Sequence, residues 1–125
     1  ATGVWPVVHQ IQLSPALART EVRAFLAERG IVAEGWRPLG QAEHALDQII
    51  VHTIAERHGV EPSQVVLRWA LQQGAVVIPA SQHRQRWLSN ADLFSFELTD
   101  QEMIDLATID LGEAKAWDAN THEEW

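Results

Sequence analysis

The residues best placed to do chemistry gather where an apolar run stops. Val76-Val77-Ile78-Pro79 is followed at once by Ala80-Ser81-Gln82-His83-Arg84-Gln85-Arg86, and Ser81 stands where it could cap a helix carrying both arginines. A helix N-terminus presents unpaired N–H groups that bind phosphate, and arginine adds paired, charged donors. A solvated helix start accounts for the same residues equally well. Two other apolar runs end at Ser14-Pro15 and at Trp36-Arg37-Pro38-Leu39-Gly40-Gln41. In sheets of parallel strands such ends line the ligand crevice.

Composition removes several other chemistries. The chain has no cysteine, so thiolate ligands, disulfides and thiol nucleophiles are excluded. It has no tyrosine, and Lys115 is its one lysine. The histidines form no pair at helical i,i+4 spacing, since His52 and His58 fall on different faces, and no metal site is expected. With 17 acidic against 9 basic residues the net charge is −8, which argues against nonspecific binding to nucleic acid or to anionic membranes.

The elements that must position these residues follow from two hydrophobic periods. Val7 to Leu13 is β-branched and partly alternating, a strand ended by Ser14-Pro15. Residues 17–29 show helical spacing at Leu17, Val22, Phe25 and Leu26, with Gly30 as the stop. Residues 31–36 form a second strand, finished by Pro38. An amphipathic helix over 44–58 turns Leu46, Ile49, Ile50 and Ile54 inward, and a second, over 64–73, buries Val65, Val66, Trp69 and Ala70. Val76 to Pro79 is a third, wholly apolar strand of the kind buried in parallel sheets. A helix over 84–92 follows. The last helix opens on a capping box from Thr99 to Glu102, with Met103, Leu106, Ile109 and Ile104 inward. Crossovers of more than about a dozen residues make the strands parallel.

The expected class is α/β, with one domain over 1–111 and a tail over 112–125. Its 125 residues are well short of the roughly 250 of a closed eight-stranded barrel. No run is long and apolar enough to span a membrane, and the first residues do not read as a signal peptide, so the expected location is cytoplasmic.

The order of segments resembles the aldo-keto reductases. Val7-Val8-His9-Gln10-Ile11-Gln12-Leu13-Ser14-Pro15 resembles the sixth barrel strand of that family, A-V-N-Q-I-E-L-H-P. Glu34-Gly35-Trp36-Arg37-Pro38-Leu39-Gly40-Gln41 is similar to the seventh, E-A-W-S-P-L-G-Q. Pro62 to Trp69 is similar to a P-A-Q-V-V-L-R-W helix, and Val76 to Ser81 to the eighth strand, V-V-I-P-K-S. Arg86 and Asn90 keep an R-x-x-x-N spacing, and Leu93 to Thr99 resembles V-F-D-F-E-L-T. The likeness runs in register from about Gly3 to Leu111 and is strongest to the 2,5-diketogluconate-reductase-like branch.

The resemblance implies part of a (β/α)8 barrel, its strands equivalent to the sixth to eighth, from NADPH-dependent carbonyl reductases. It implies that Gln10 meets the nicotinamide carboxamide and Trp36 stacks on the ring. Leu39 and Gln41 would line the pyrophosphate path, Ser81 and Arg86 would meet the 2′-phosphate, and Asn90 the adenine. His9, Arg37, Ala80 and Ser14 depart from the family's residues, which implies weakened or vestigial NADP(H) binding. The family's catalytic Asp, Tyr, Lys and His lie on earlier strands, so no catalytic residue is expected in this chain.

The expected reading is a barrel fragment that is inactive alone and self-associates through its open edges, as a homo-oligomer. One alternative is a reductase active only with a complementary N-terminal barrel fragment. Another is an interaction protein whose interface includes Trp5, Trp87, Trp117 and Trp125. Simpler roles stand beside these: Gln10 and His9 alternating across a strand, Trp36 and Trp69 filling a core, the added tryptophans filling voids.

Overall fold

A computed structural model describes residues 3–36, 44–77 and 92–112. Within them three parallel strands lie side by side in chain order: β1 (Val8–Gln12), β2 (Val32–Trp36) and β3 (Val76–Val77). Val8 pairs with Val32, Gln10 with Glu34, and Gln12 with Trp36, while Glu34 pairs across its other edge with Val76. Helices α1 (Thr20–Glu28), α2 (Ile49–His58) and α3 (Pro62–Gln72) fill the crossovers, and α4 (Asp100–Ala107) follows β3.

Because side chains alternate along a strand, each face of the sheet has its own fate. Ile11 and Leu13 pack into a core with Leu26, Val51, Ile54, Val65, Val66, Trp69 and Leu106. Gly35 is the close-approach point on that face, since a Cβ there would lie 3.3 Å from Leu13 Cβ. The opposite face carries Val8, Gln10, Val32, Glu34 and Val76. Its valines remain 45%, 39% and 49% exposed, so no described element covers it.

Several expectations shift by a turn or a face. The first helix starts at Thr20, not at residue 17. Arg19 at φ 49° is left-handed, and Ser14 and Leu17 exchange backbone bonds in a tight turn before it. The helix expected over 44–58 breaks at Gln48, whose ψ of 130° is extended; a short 3-10 turn, Ala45–Asp47, precedes α2. Ile49 then sits in the first turn of α2 and is exposed, while Val51 joins Ile54 inside. Phe25 and Ile104, expected inward, face solvent. β3, expected to be buried, leaves Val76 49% exposed on the open side of the sheet, whereas α3 buries Val65, Val66, Trp69 and Ala70 as expected, and the Thr99–Glu102 box opens α4. The helix expected over 84–92 and the tail beyond Gly112 lie outside the described residues.

Loop packing is fixed by side chains of α3. Gln64 Nε2 donates to Asp92 O (3.1 Å), and Arg68 donates to Leu93 O (3.0 Å). Past α4 the chain returns to the turn after β1: Leu111 N donates to Ala16 O (2.8 Å), and Asp110 accepts from Ala18 N (3.2 Å). Gly59, at φ 65°, ends α2 in the left-handed conformation that glycine adopts without a Cβ penalty, and Val60 N closes back on Ala55 O (3.0 Å).

Candidate functional site

Gln10 is the third residue of β1 and Glu34 the third of β2, so the register sets them side by side on the uncovered face. Gln10 Nε2 donates to Glu34 Oε1. A carboxylate can only accept, which decides the orientation of the amide: its NH2 faces Glu34 and its carbonyl Oε1 is left over. Oε1 has no partner among the described residues. The pair is framed by Val8, Val32 and Val76, so a flat polar group with one donor to offer would meet an acceptor within an apolar surround.

Trp36 closes β2 opposite Gln12. Leu39, Gln41, Ser81, Arg86 and Asn90 lie outside the described residues, as do Arg37 and Ala80. The simpler reading of Gln10 and His9 as strand neighbours on opposite faces holds for the backbone, yet Gln10 engages another side chain. Trp69 is core, 2% exposed. Trp5 lies on the surface with its ring edge-on to Phe25, and the Arg29 guanidinium sits over both rings.

Further up β1 the polar groups turn inward. Gln12 is buried, and its carbonyl accepts from Arg19 at 3.4 Å. Ser14, where the family pattern has histidine, is buried with a hydroxyl that has no hydrogen-bond partner among the described residues. A hollow of about 300 Å³ opens at the start of β2, between α1 and the end of α3, lined by Arg23, Ala27, Ile31 and Gln73 among others. It is at the opposite end of the strands from the ligand crevice. Its arginine is already engaged, donating to Ala18 O (2.7 Å) and Gln73 Oε1 (2.9 Å). Burial lowers the pKa of that guanidinium, and Asp110 offsets part of the effect.

Two groups escaped the sequence reading. Glu34 is one, although its third place in a strand parallel to that of Gln10 was a usable signal. Glu102 is the other. It is 1% exposed and accepts from Thr99 N (2.9 Å), from Arg57 (2.9 Å) and at His58 Nε2 (2.7 Å). Burial alone would raise its pKa. The Thr99 amide, His58 and Arg57 outweigh that and hold the carboxyl below its ordinary value. The capping box was visible in the sequence, but the approach of Arg57 and His58 from α2 was not. The cluster ties α2 to α4 and does not join the Gln10 face. Among the described residues no three histidine or acidic side chains gather as a metal site.

The family model described as the aldo/keto reductase family matches residues 1–110. An aldo-keto reductase of Mycolicibacterium smegmatis is 42% identical over 120 residues, 96% of this chain and 43% of that protein. The 2,5-diketo-D-gluconic acid reductase B of a Corynebacterium species is 39% identical over 98% of this chain and 44% of its own length. Among solved structures, a variant of Gox0644 in complex with NADPH superposes with a TM-score of 0.89 at 38% identity, covering 98% of this chain and 45% of that one. The chain thus spans under half the length of the relatives it matches.

Proposed function

This chain belongs to the aldo/keto reductase family, and on that premise we propose that it binds NADP(H) on the face that carries Gln10. The observation behind this reading is the Gln10 amide, held through its NH2 by Glu34 with its carbonyl left to accept. That free acceptor fits the NH2 of a nicotinamide carboxamide. The NADPH complex of a related chain supports the same choice of ligand. Trp36, Leu39, Gln41, Ser81, Arg86 and Asn90 complete the proposed contacts, with β1 to β3 taking the places of the sixth to eighth barrel strands. The replacements at His9, Arg37 and Ala80 make the binding weak.

Bound NADPH would supply a hydride; the work of these residues is to place and orient the nucleotide. Gln10 fixes the carboxamide, and the open valines keep water from one side of it. Reduction of a carbonyl also needs an oriented acid, and the sequence contains no tyrosine to serve as the family's proton donor. In the proposed reading this chain binds nucleotide without turning over, and associates with further copies through its open strand edges, in the cytoplasm. A second reading is favoured by the 43% to 44% coverage of the relatives: the same edges receive a complementary barrel fragment that brings the acid.

Titration with NADPH, followed by tryptophan fluorescence, tests the first part. A dissociation constant below about 1 mM is expected, and no quenching at that concentration would refute it. Sedimentation velocity tests the second: an oligomer supports self-association, whereas a monomer that reduces carbonyls only after mixing with a complement supports the other reading.

A further inference from the structure

Glu34 does more at this face than hold Gln10. Its carboxylate belongs to the open side of the sheet, is partly exposed, and is paired with no arginine, lysine or histidine among the described residues. The partner it does have, the Gln10 amide, is neutral, so its negative charge is oriented but not cancelled. We infer that Glu34 is a positioning residue that also sets which redox form of the nucleotide this site prefers, favouring oxidised NADP+ over NADPH. This rests on the nucleotide-binding reading above and deepens it.

The two forms differ in one respect that a fixed charge can sense. The nicotinamide ring is cationic when oxidised and neutral when reduced, while the phosphates and the carboxamide are the same in both. A hydrogen bond from the carboxamide to Gln10 therefore cannot distinguish the forms, because each offers the same NH2. A carboxylate bonded to that very amide can. It is one side chain away from the group that meets the carboxamide, on a face whose valines are half exposed, so water screens its charge only in part. For one unit charge near a partly exposed site, the preference amounts to a factor of about three to ten in the ratio of dissociation constants.

Glu34→Gln isolates the charge. A glutamine at 34 still offers a side-chain oxygen to Gln10 Nε2, so the amide keeps its orientation while the negative charge goes. Dissociation constants for NADP+ and NADPH are measured on the native chain and on the variant, with circular dichroism to confirm an unchanged fold. The expected result is a native preference for NADP+ that drops about three- to tenfold in E34Q, chiefly through weaker NADP+ binding. A native ratio that survives the substitution, with both nucleotides still bound, would overturn the inference and leave nucleotide binding intact. Binding of neither form by the native chain would instead overturn the nucleotide reading, and this inference with it. A measurement on the native chain alone gives a second test. Raising the salt concentration screens the carboxylate, so the NADP+/NADPH ratio should move towards unity, whereas phosphate contacts weaken equally for both forms and cancel. A ratio unaffected by salt would count against Glu34 as its source.

Discussion

Gln72 holds both backbone polar groups of Leu98: its Oε1 accepts from Leu98 N at 2.7 Å and its Nε2 donates to Leu98 O at 2.9 Å. One side chain at the end of α3 thereby replaces the strand partner that the segment before α4 lacks. Arg68 Nε donates to the same Oε1 at 3.0 Å and stiffens the arrangement.

Gln72→Ala removes both bonds and leaves a peptide beside the buried Leu98 side chain unpaired, which should cost about 2–3 kcal/mol in urea unfolding. Hydrogen exchange at the Leu98 amide should speed up ahead of exchange in α3. Unchanged protection at that amide would show that the grip carries no weight.

The Glu102 cluster predicts an acid response with a definite sign. Its carboxyl is held below the ordinary value, so the stability it contributes is in full force above about pH 4.3. That contribution fades as pH falls through the lower folded-state value. Glu102→Gln cannot ionise. The stability gap between native protein and E102Q should therefore narrow steadily as the buffer is taken from pH 6 to pH 3. A gap independent of pH would remove the charge of Glu102 from the account.

Neighbouring isoleucines at opposite ends of the burial scale separate packing from composition. Ile54 is 0% exposed and Ile49 is 83% exposed, both in α2. Ile54→Ala should destabilise by about 2–4 kcal/mol, and Ile49→Ala should stay within about 0.5 kcal/mol. Equal effects in denaturant titrations would contradict the helix start at Ile49.

Ser14 offers a gain in stability. Its hydroxyl is buried with no partner among the described residues, while its backbone N–H and C=O are both satisfied by Leu17. Ser14→Ala deletes the unpaired group and keeps the turn, so thermal unfolding should shift upward by the equivalent of about 1 kcal/mol. A fall in the melting temperature would mean that the hydroxyl has a partner in solution.

Much of the fold was legible because its signals are local. Partial alternation marked β1, Pro38 bounded β2, apolar spacing marked α3, and Thr99 with Glu102 marked α4. Where the reading slipped, the cause was a single backbone angle. The apolar run from Leu46 to Ile54 carries one helical period, and nothing in its composition shows that Gln48 is extended and that Ile49 therefore turns outward. The site was legible in a different way. Gln10 came from resemblance, and the register places it on a face open to a ligand. Glu34 could have been found from its matching place in a strand parallel to that of Gln10, 24 residues earlier. Arg57 and His58 at Glu102, by contrast, depend on which helices meet across 44–45 residues of sequence, and spacing along the chain carries no such information.

The clasp between the β1 turn and the end of α4 sets a timetable for synthesis. Ala18 N and its acceptor Asp110 are 92 residues apart. At about 5–20 residues per second, the turn leaves the ribosome roughly five to twenty seconds before its partner does. During that interval the Ala16 carbonyl and the Ala18 amide, both destined for a tight corner, are satisfied by water alone. The strand itself can pair with β2 long before, but the turn that follows it is locked only once α4 has been made.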